Sequence, residues 1–504
     1  MSRSIAGIGA YVPRLRLPAA EIAANTTTGG PAGIERTAVP DADEDTLTMA
    51  YEAATLALEA AGVRAGDLTA VAIATTTPPL AEESAAARLA SFLGTDGETT
   101  QYGGSTAAGV SALSTELDRT DGTRLVVASD APVGEPESAL AATAGVGAAA
   151  VVLDEDGPGT VKATAGTTAA YPGTRYRPSD DRATRELGAT AYERAAYVET
   201  VGEVVARLAV DPESIDSAAL QAPDGKLPYR ACGRLGISTE TVSTGTVVHD
   251  VGDTGTASPL VGLANALAAG AESVLVVGYG SGAEGSGAVL DLRGVPVENR
   301  IEGTETISYV DALRFRGETT PDGEPDGGGA YVSVPTWQRS IPQRHRLTVG
   351  RCGRCRALNL RPDGACRECH KLTDYESVTL PGTGVVAAAT EIQSGGAPPE
   401  FTDQTTRGGS FVSAVVRLDG PEVRSDAVDD HETDDGYDGA DSQADPGSDG
   451  DSHGRSLRVP MQVVGSSDNG VEIGDSVETT IRRVYTQEGL PRYGRKAIRR
   501  DDRR

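Results

Sequence analysis

Through roughly the first 300 residues, apolar positions fall into two alternating patterns. Helical spacing marks TMAYEAATLALEAAGV from Thr48 and ETVGEVVARLAV from Glu199. After each comes a short loop and an apolar run, in AGDLTAVAIATTTPP and PESIDSAALQAPDGK, with Leu68 in the first standing where Ile215 stands in the second. The two copies stay in step further along. AAGVSALSTEL from Ala107 aligns with ASPLVGLANAL from Ala257, and RLVVAS from Arg124 aligns with VLVVGY from Val274, both at an offset of 150. A constant offset across helix, loop and strand predicts an internal duplication. Valine-rich runs predict parallel strands covered on both faces. The segments opening at Ser105–Ala107 and Thr256–Ser258 are small and apolar all round, which predicts helices buried between two sheets. The expected class is therefore α/β, a duplicated five-layer αβαβα fold with halves at 1–165 and 166–320 and a linker at 321–349.

Beyond residue 372 the pattern shortens. VTLPGTGVVAAATEI, GGSFVSAVVRLDG, RVPMQVVG and DSVETTIRRVY read as short strands with Gly-rich turns and predict a small β-barrel of the OB-fold kind over 372–498. An Asp/Gly/Ser tract at 421–456 interrupts it. That tract has almost nothing to bury and is expected as a disordered loop.

Between the two patterns lies Cys352-x2-Cys355-x10-Cys366-x2-Cys369, which holds four of the chain's five cysteines. Paired CxxC knuckles at this spacing place four thiolates around one tetrahedral ion, and Zn²⁺ is the default occupant. A rubredoxin-like zinc ribbon is expected at 350–371. A disulfide pair or an iron site would use the same residues, but no secretion signal points to an oxidising compartment. The N-terminus reads as a first strand. No stretch approaches the ~20 apolar residues of a membrane span. The expected location is cytoplasmic, with no membrane partner.

Charge alters this picture in one respect. Asp and Glu number 73 against 45 Lys and Arg, a net charge of −28. Lysine is scarce, and the Ala/Gly/Thr-rich, acid-rich composition resembles that of halophilic proteins, for which molar salt screens the repulsion. The acidity argues against nucleic-acid binding by the chain as a whole. A basic island at 339–371, with Arg351, Arg354 and Arg356 among its cations, keeps open a third reading, a nucleic-acid-binding zinc-ribbon/OB protein. Yet the island lacks the interleaved aromatics that stack bases.

GIGAYVPRLRLPAAEIA, the IATTTPP strand end, VGDTGTASPLVGLANAL and ISYVDALRFRG resemble the thiolase superfamily, and most closely its archaeal 3-hydroxy-3-methylglutaryl-CoA synthases, over roughly residues 1–317. From SIPQRHRLTVGRCGRC onward the chain resembles the zinc-ribbon/OB-fold protein that accompanies archaeal thiolases and synthases, here fused. The resemblance implies acyltransferase chemistry on acyl-CoA, through an acyl-cysteine, a histidine and a glutamate. It also implies a homodimer through the thiolase-like core.

At the matching positions this sequence departs from that family. Thr106 stands where the resemblance places the nucleophilic cysteine (Ser105 if the alignment slips by one), Gln221 where it places the histidine, and Asp253 where it places the asparagine of the Gly-rich turn; the glutamate falls near Thr77. Lys226 is kept near the expected CoA phosphates, and Gly280 and Ser281 in GYGSG are expected to line the acyl pocket. A threonine hydroxyl needs an adjacent base to attack a thioester, and glutamine cannot take the proton. The expectation is an acyl-CoA-binding synthase-like protein with substituted catalytic positions, or a non-catalytic scaffold that channels acyl-CoA for an active thiolase or synthase partner. Cys232, His249, Glu82 and Glu83 are weaker candidates for rescue chemistry, and His370 for a role beside the metal.

Overall fold

The valine-rich runs form the strands of two sheets. The computed structural model describes residues 4–119, 121–319, 333–421, 456–465 and 470–503. They group into two compact units, one of 1–330, 393–410 and 481–494, the other of 331–392, 411–480 and 495–504.

In chain order, the first unit is built from β1 (Ser4–Tyr11), α1 (Thr46–Ala61), β2 (Leu68–Ala74), α2 (Ala85–Leu93), β3 (Glu98–Tyr102), α3 (Ala108–Leu117), β4 (Thr123–Asp130) and β5 (Gly147–Asp154). There follow β6 (Thr160–Tyr171), α4 (Thr190–Leu208), β7 (Ser217–Leu220), α5 (Leu227–Leu235), α6 (Ser258–Ala268), β8 (Ser273–Gly280), β9 (Gly282–Asp291) and β10 (Val297–Arg300). One sheet has the order β10-β1-β5-β4-β2-β3 and the other β6-β9-β8-β7. Both repeat one motif. In the first, β4 lies antiparallel to β5 and parallel to β2, with Val71 opposite Leu125. In the second, β8 lies antiparallel to β9 and parallel to β7, with Ala218 opposite Leu275. These partners differ by the sequence offsets already seen between the two copies.

The helices sort into layers. α1 lies on β1, β4 and β5, and α4 on β6, β8 and β9. Between the sheets, α3 touches β2 and β4 on one side and β8 and β9 on the other, while α6 touches β1 and β5 as well as β7 and β8. The first turns of α3 and α6 are buried and apolar or small, as that placement requires, while Thr115 and Ala268 reach solvent near their ends. The expected half-boundary at 165 falls inside β6, whose alternating exposure marks it as a sheet edge.

Asp45 starts α1. Its Oδ1 accepts from the Leu47 and Thr48 N–H groups, and the Thr48 hydroxyl completes a capping box. Residues 481–494 join this unit near that helix start. Ile481 and Tyr493 belong to its main hydrophobic core, Tyr493 packs 5.2 Å from Phe92, and its hydroxyl donates to Asp45 Oδ2 at 2.8 Å. Arg482 is almost fully buried, 2.8 Å from Glu52 and 3.2 Å from Glu44.

The second unit opens with α7 (Val334–Arg346), so the span expected as a 321–349 linker contains a helix. Trp337 anchors it, 4% exposed, under the Arg344 guanidinium at 4.4 Å. A small sheet of β11 (Thr348–Cys352), β12 (Leu358–Asn359) and β13 (Tyr375–Thr379) follows. Then β14 (Thr383–Ile392), β15 (Phe411–Leu418), β16 (Leu457–Val464), β17 (Ser476–Gln487) and β18 (Leu490–Arg499) close a barrel in the order β14-β15-β16-β18-β17. Alternation along β15 sends Val412, Ala414, Val416 and Leu418 into its core. The acidic tract expected as a loop lies, but for its end residues, outside the described residues. Among the described residues, no helix is long and apolar enough to cross a membrane.

Candidate functional site

Four segments meet where α3 and α6 begin. Thr106, 5% exposed, donates its hydroxyl hydrogen to the Tyr279 carbonyl at the end of β8, 2.7 Å away. Gly280 follows, and a methyl group there would meet Ser105 Oγ and come 3.0 Å from the Ala107 nitrogen, so β8 passes close against this turn. Gln221 leaves β7 with its own N–H bonded to the Val277 carbonyl, and its Nε2 donates to the Gly255 carbonyl at 2.7 Å. Gly255 has φ 57°, the left-handed region that glycine enters at little cost, and its N–H donates to Asp253 Oδ1 at 3.0 Å. Asp253 is 1% exposed and pairs through Oδ2 with Arg175. Thr106, Gln221 and Asp253 are thus linked through β8 and the Gly-rich turn in one buried constellation.

Asp130 is the acid that sequence reasoning missed. It is fully buried at the end of β4 and collects six donors: the Thr75, Thr76 and Thr77 hydroxyls and the Thr76, Thr77 and Thr256 N–H groups, at 2.7–3.0 Å. The Thr75–Thr77 run therefore serves as a cage for this carboxylate. The sequence signal was available, as three hydroxyls in a row at one strand end and an acid closing the neighbouring strand.

Other candidates fall elsewhere. Lys226 is exposed at the start of α5, and Ser281 lies half-buried in the turn after β8. His249 is held at both ring nitrogens. The Gly33 carbonyl can only accept, so Nδ1 at 2.5 Å carries the hydrogen and Nε2 faces the Tyr229 hydroxyl at 2.8 Å. Cys232 is buried in α5, and burial pushes its thiol above the usual range, which disfavours the thiolate a nucleophile needs. Glu82 is exposed, and Glu83 pairs with Arg88.

Beside Arg175, Glu186 is half-buried. Burial first, and then the charge of Glu193, push its carboxyl from 4.5 up to about 7 against the pull of Arg175. The native state therefore keeps a proton that the unfolded chain has lost between pH about 4.5 and 7. Stability should fall as pH climbs through that window. Glu186→Gln should remove this slope from denaturant midpoints measured at fixed salt, and an identical slope in the variant would refute the assignment.

The four knuckle cysteines converge in the second unit, with all four sulfurs within 4.8 Å of one another. Cys352 and Cys369 sulfurs are 3.9 Å apart, and those of Cys355 and Cys366 are 3.6 Å apart. A disulfide needs about 2.05 Å. Four sulfurs at about 2.3 Å from a central Zn²⁺ would lie about 3.8 Å apart, so this donor set fits a tetrahedral ion. Each knuckle is a copy of the other. The Cys352 N–H donates to the Ala357 carbonyl and the Cys366 N–H to the Lys371 carbonyl, and both knuckles end in a left-handed residue, Arg356 at φ 63° and His370 at φ 56°. His370 is exposed and supplies that backbone turn.

No family model matches the chain. Relatives do. Hydroxymethylglutaryl-CoA synthase of Methanopyrus kandleri is 32% identical over 301 residues, covering 55% of this chain and 84% of that protein. The Archaeoglobus fulgidus enzyme of the same name is 31% identical over 330 residues, covering 61% and 95%. Among solved structures, an HMG-CoA synthase complexed with CoA superposes with TM-score 0.54 at 17% identity, over 66% of this chain and 94% of that one. 3-Oxoacyl-(acyl carrier protein) synthase III of Pseudomonas aeruginosa gives 0.52 at 20%, over 58% and 98%. Identities this low speak to the fold alone, a thiolase-like mixed α/β arrangement. By its sequence relatives, the chain belongs to the hydroxymethylglutaryl-CoA synthase family.

Proposed function

We propose that this chain is an acyl-CoA-binding member of that family whose condensing chemistry has been lost at the reactive positions. One observation carries the reading. The hydroxyl of Thr106 is committed to the Tyr279 carbonyl, and the amide of Gln221 to the Gly255 carbonyl. An alcohol with a pKa far above 7 thus stands where the resemblance puts a thiolate, and the side chain in place of its base cannot accept a proton at neutral pH. Losing both groups costs on the order of 10⁶ in rate.

Binding has separate support. Solved neighbours are complexed with CoA or with 3-hydroxy-3-methylglutaryl coenzyme A. Gln221 Oε1, Thr254 Oγ1 and Arg175 Nη2 are buried without a hydrogen-bond partner in this constellation. An unpaired buried polar atom costs about 1–3 kcal/mol. The carbonyl or hydroxyl of an acyl group would satisfy such atoms.

The same proposal reads the second unit as a structural zinc ribbon over 350–371 and an OB-fold over 372–498. Counting its strands from one, the barrel order 1-2-3-5-4 supports the OB reading, as does the parallel pairing of β16 with β18. Cys352, Cys355, Cys366 and Cys369 would hold the zinc. Four thiolates leave no open position for substrate, so the ion would supply folding energy. Four reduced cysteines suit a cytoplasmic location.

Calorimetric titration with CoA and acetyl-CoA, joined to intact-mass measurement, tests the functional reading. The protein should bind both and take up no acetyl group, while Thr106→Cys should acquire one. Covalent labelling of the native protein that disappears in Thr106→Ala would establish catalysis instead. Failure to bind either ligand would remove the acyl-CoA reading.

A further inference from the structure

We propose that Asn359 is the positioning residue that locks the two cysteine knuckles into one metal site. The proposal rests on the zinc reading of the four cysteines. Asn359 ends β12, outside both CxxC motifs, and is 2% exposed. Its single amide reaches both knuckles. Nδ2 donates to the Ala357 carbonyl at 3.0 Å and to Cys366 Sγ at 3.5 Å, and Oδ1 accepts from the Arg367 N–H at 2.9 Å. Ala357 closes the first knuckle, since its carbonyl also accepts from the Cys352 N–H at 2.9 Å. Cys366 and Arg367 open the second.

The partners fix the amide's orientation. A carbonyl and a thiolate can only accept and a backbone N–H can only donate, so nitrogen faces Ala357 and Cys366 while oxygen faces Arg367. A flipped amide would lose all three bonds. Aspartate has the same shape but no N–H, and it would set a negative charge against a thiolate. The apolar contact around the knuckles is small. The buried cluster around them contains Cys352, Ala357 and Cys366, with Cys355, Cys369 and Tyr375 partly buried. A core that small gives about one side chain's worth of hydrophobic burial. Backbone bonds shape each knuckle by itself, and this amide adds a side-chain link from one knuckle to the other. Partners that orient metal ligands typically change metal affinity by about 10–100-fold when removed.

The test uses the full chain. Zinc affinity is measured by competition with a chromophoric chelator, and Co²⁺ replaces zinc for spectroscopy. Asn359→Asp and Asn359→Ala should each bind zinc about 10–100-fold more weakly than the native protein. Their sulfur-to-cobalt charge-transfer bands should move to longer wavelength, because a thiolate that loses an N–H donor is a better electron donor. Thermal unfolding of the first unit should not change. Affinity within twofold of native together with an unmoved band, in the isosteric Asp variant, would overturn the role of Asn359. A native protein that takes up neither Zn²⁺ nor Co²⁺ would instead overturn the zinc reading on which it rests.

Discussion

Replacing Arg482 with alanine should remove about 3–5 kcal/mol of stability, the typical cost of leaving buried acids without their cation. The guanidinium is 5% exposed. It lies 2.8 Å from Glu52, 3.2 Å from Glu44 and 3.9 Å from Asp43, whose side chains are 1%, 4% and 4% exposed. A domain usually has about 5–15 kcal/mol in all, so the loss would be a large fraction of it. The cost should depend on pH. Burial pushes the Glu44 carboxyl up, while Arg482 pulls it down. Without Arg482 that acid gains a proton more readily in the native state, so the variant should recover part of its deficit as pH falls from 8 to 5. Denaturant midpoints at both pH values check this. Combining Arg482→Met with Glu44→Gln and Glu52→Gln should cost less than the sum of the single changes, because the two acids nearest the lost guanidinium are then neutral and Asp43, at 3.9 Å, is the more distant one that stays charged. A loss under about 1 kcal/mol at pH 8 would show that the acids find another partner.

On the proposed zinc reading, stripping the metal or changing Cys366 to serine should abolish order across residues 348–379. Structural zinc contributes about 10–16 kcal/mol at pH 7 in small zinc modules. Among the described residues the ribbon buries only Val349, Cys352, Ala357, Leu358, Asn359 and Cys366, a small core to set against that loss. Its short strands pair mainly with one another, Thr348–Cys352 with Tyr375–Thr379 and with Leu358–Asn359. Hydrogen exchange of these amides should rise to the rate of an unfolded peptide in Cys366→Ser or after chelation. It should stay native in Cys232→Ser, since that thiol lies elsewhere, in α5. Metal content by elemental analysis should fall from one zinc per chain to none. Persistent protection in the zinc-free protein would show that the fold does not depend on the ion.

The parts of this molecule legible in the sequence are those with a local code. α3 and α6 announced themselves because a helix start buried between two sheets must be small and apolar, and their copies were in step at a fixed offset. The cysteine cluster was legible because two tight turns that bring four sulfurs together need the CxxC spacing. The site was legible only in part. Thr106, Gln221 and Asp253 were found through resemblance, and hydrogen bonds through β8 and the Gly-rich turn link them. Asp130 was missed because an acid at a strand end looks like an ordinary turn residue until the three hydroxyls around it are seen. Arg175 and Glu186 sit in a polar stretch without periodicity, where no pattern predicts which side chains turn inward. The largest omission was the placement of residues 481–494. DSVETTIRRVY reads as a barrel strand, and nothing in it indicates that Arg482 pairs with Glu52, 430 positions earlier. Long-range ion pairs leave no periodic trace.

That pairing has a consequence for how the protein is made. The chain passes between its two units five times before it ends. During synthesis the first 330 residues emerge with Glu44 and Glu52 in place and Arg300 3.8 Å from Glu52, yet Arg482, the nearer cation of both, is encoded about 150 positions later. At about 5–20 residues per second, translation of the intervening stretch takes roughly 10–30 s. Through that interval the early part of the polypeptide is without the hairpin that completes its core.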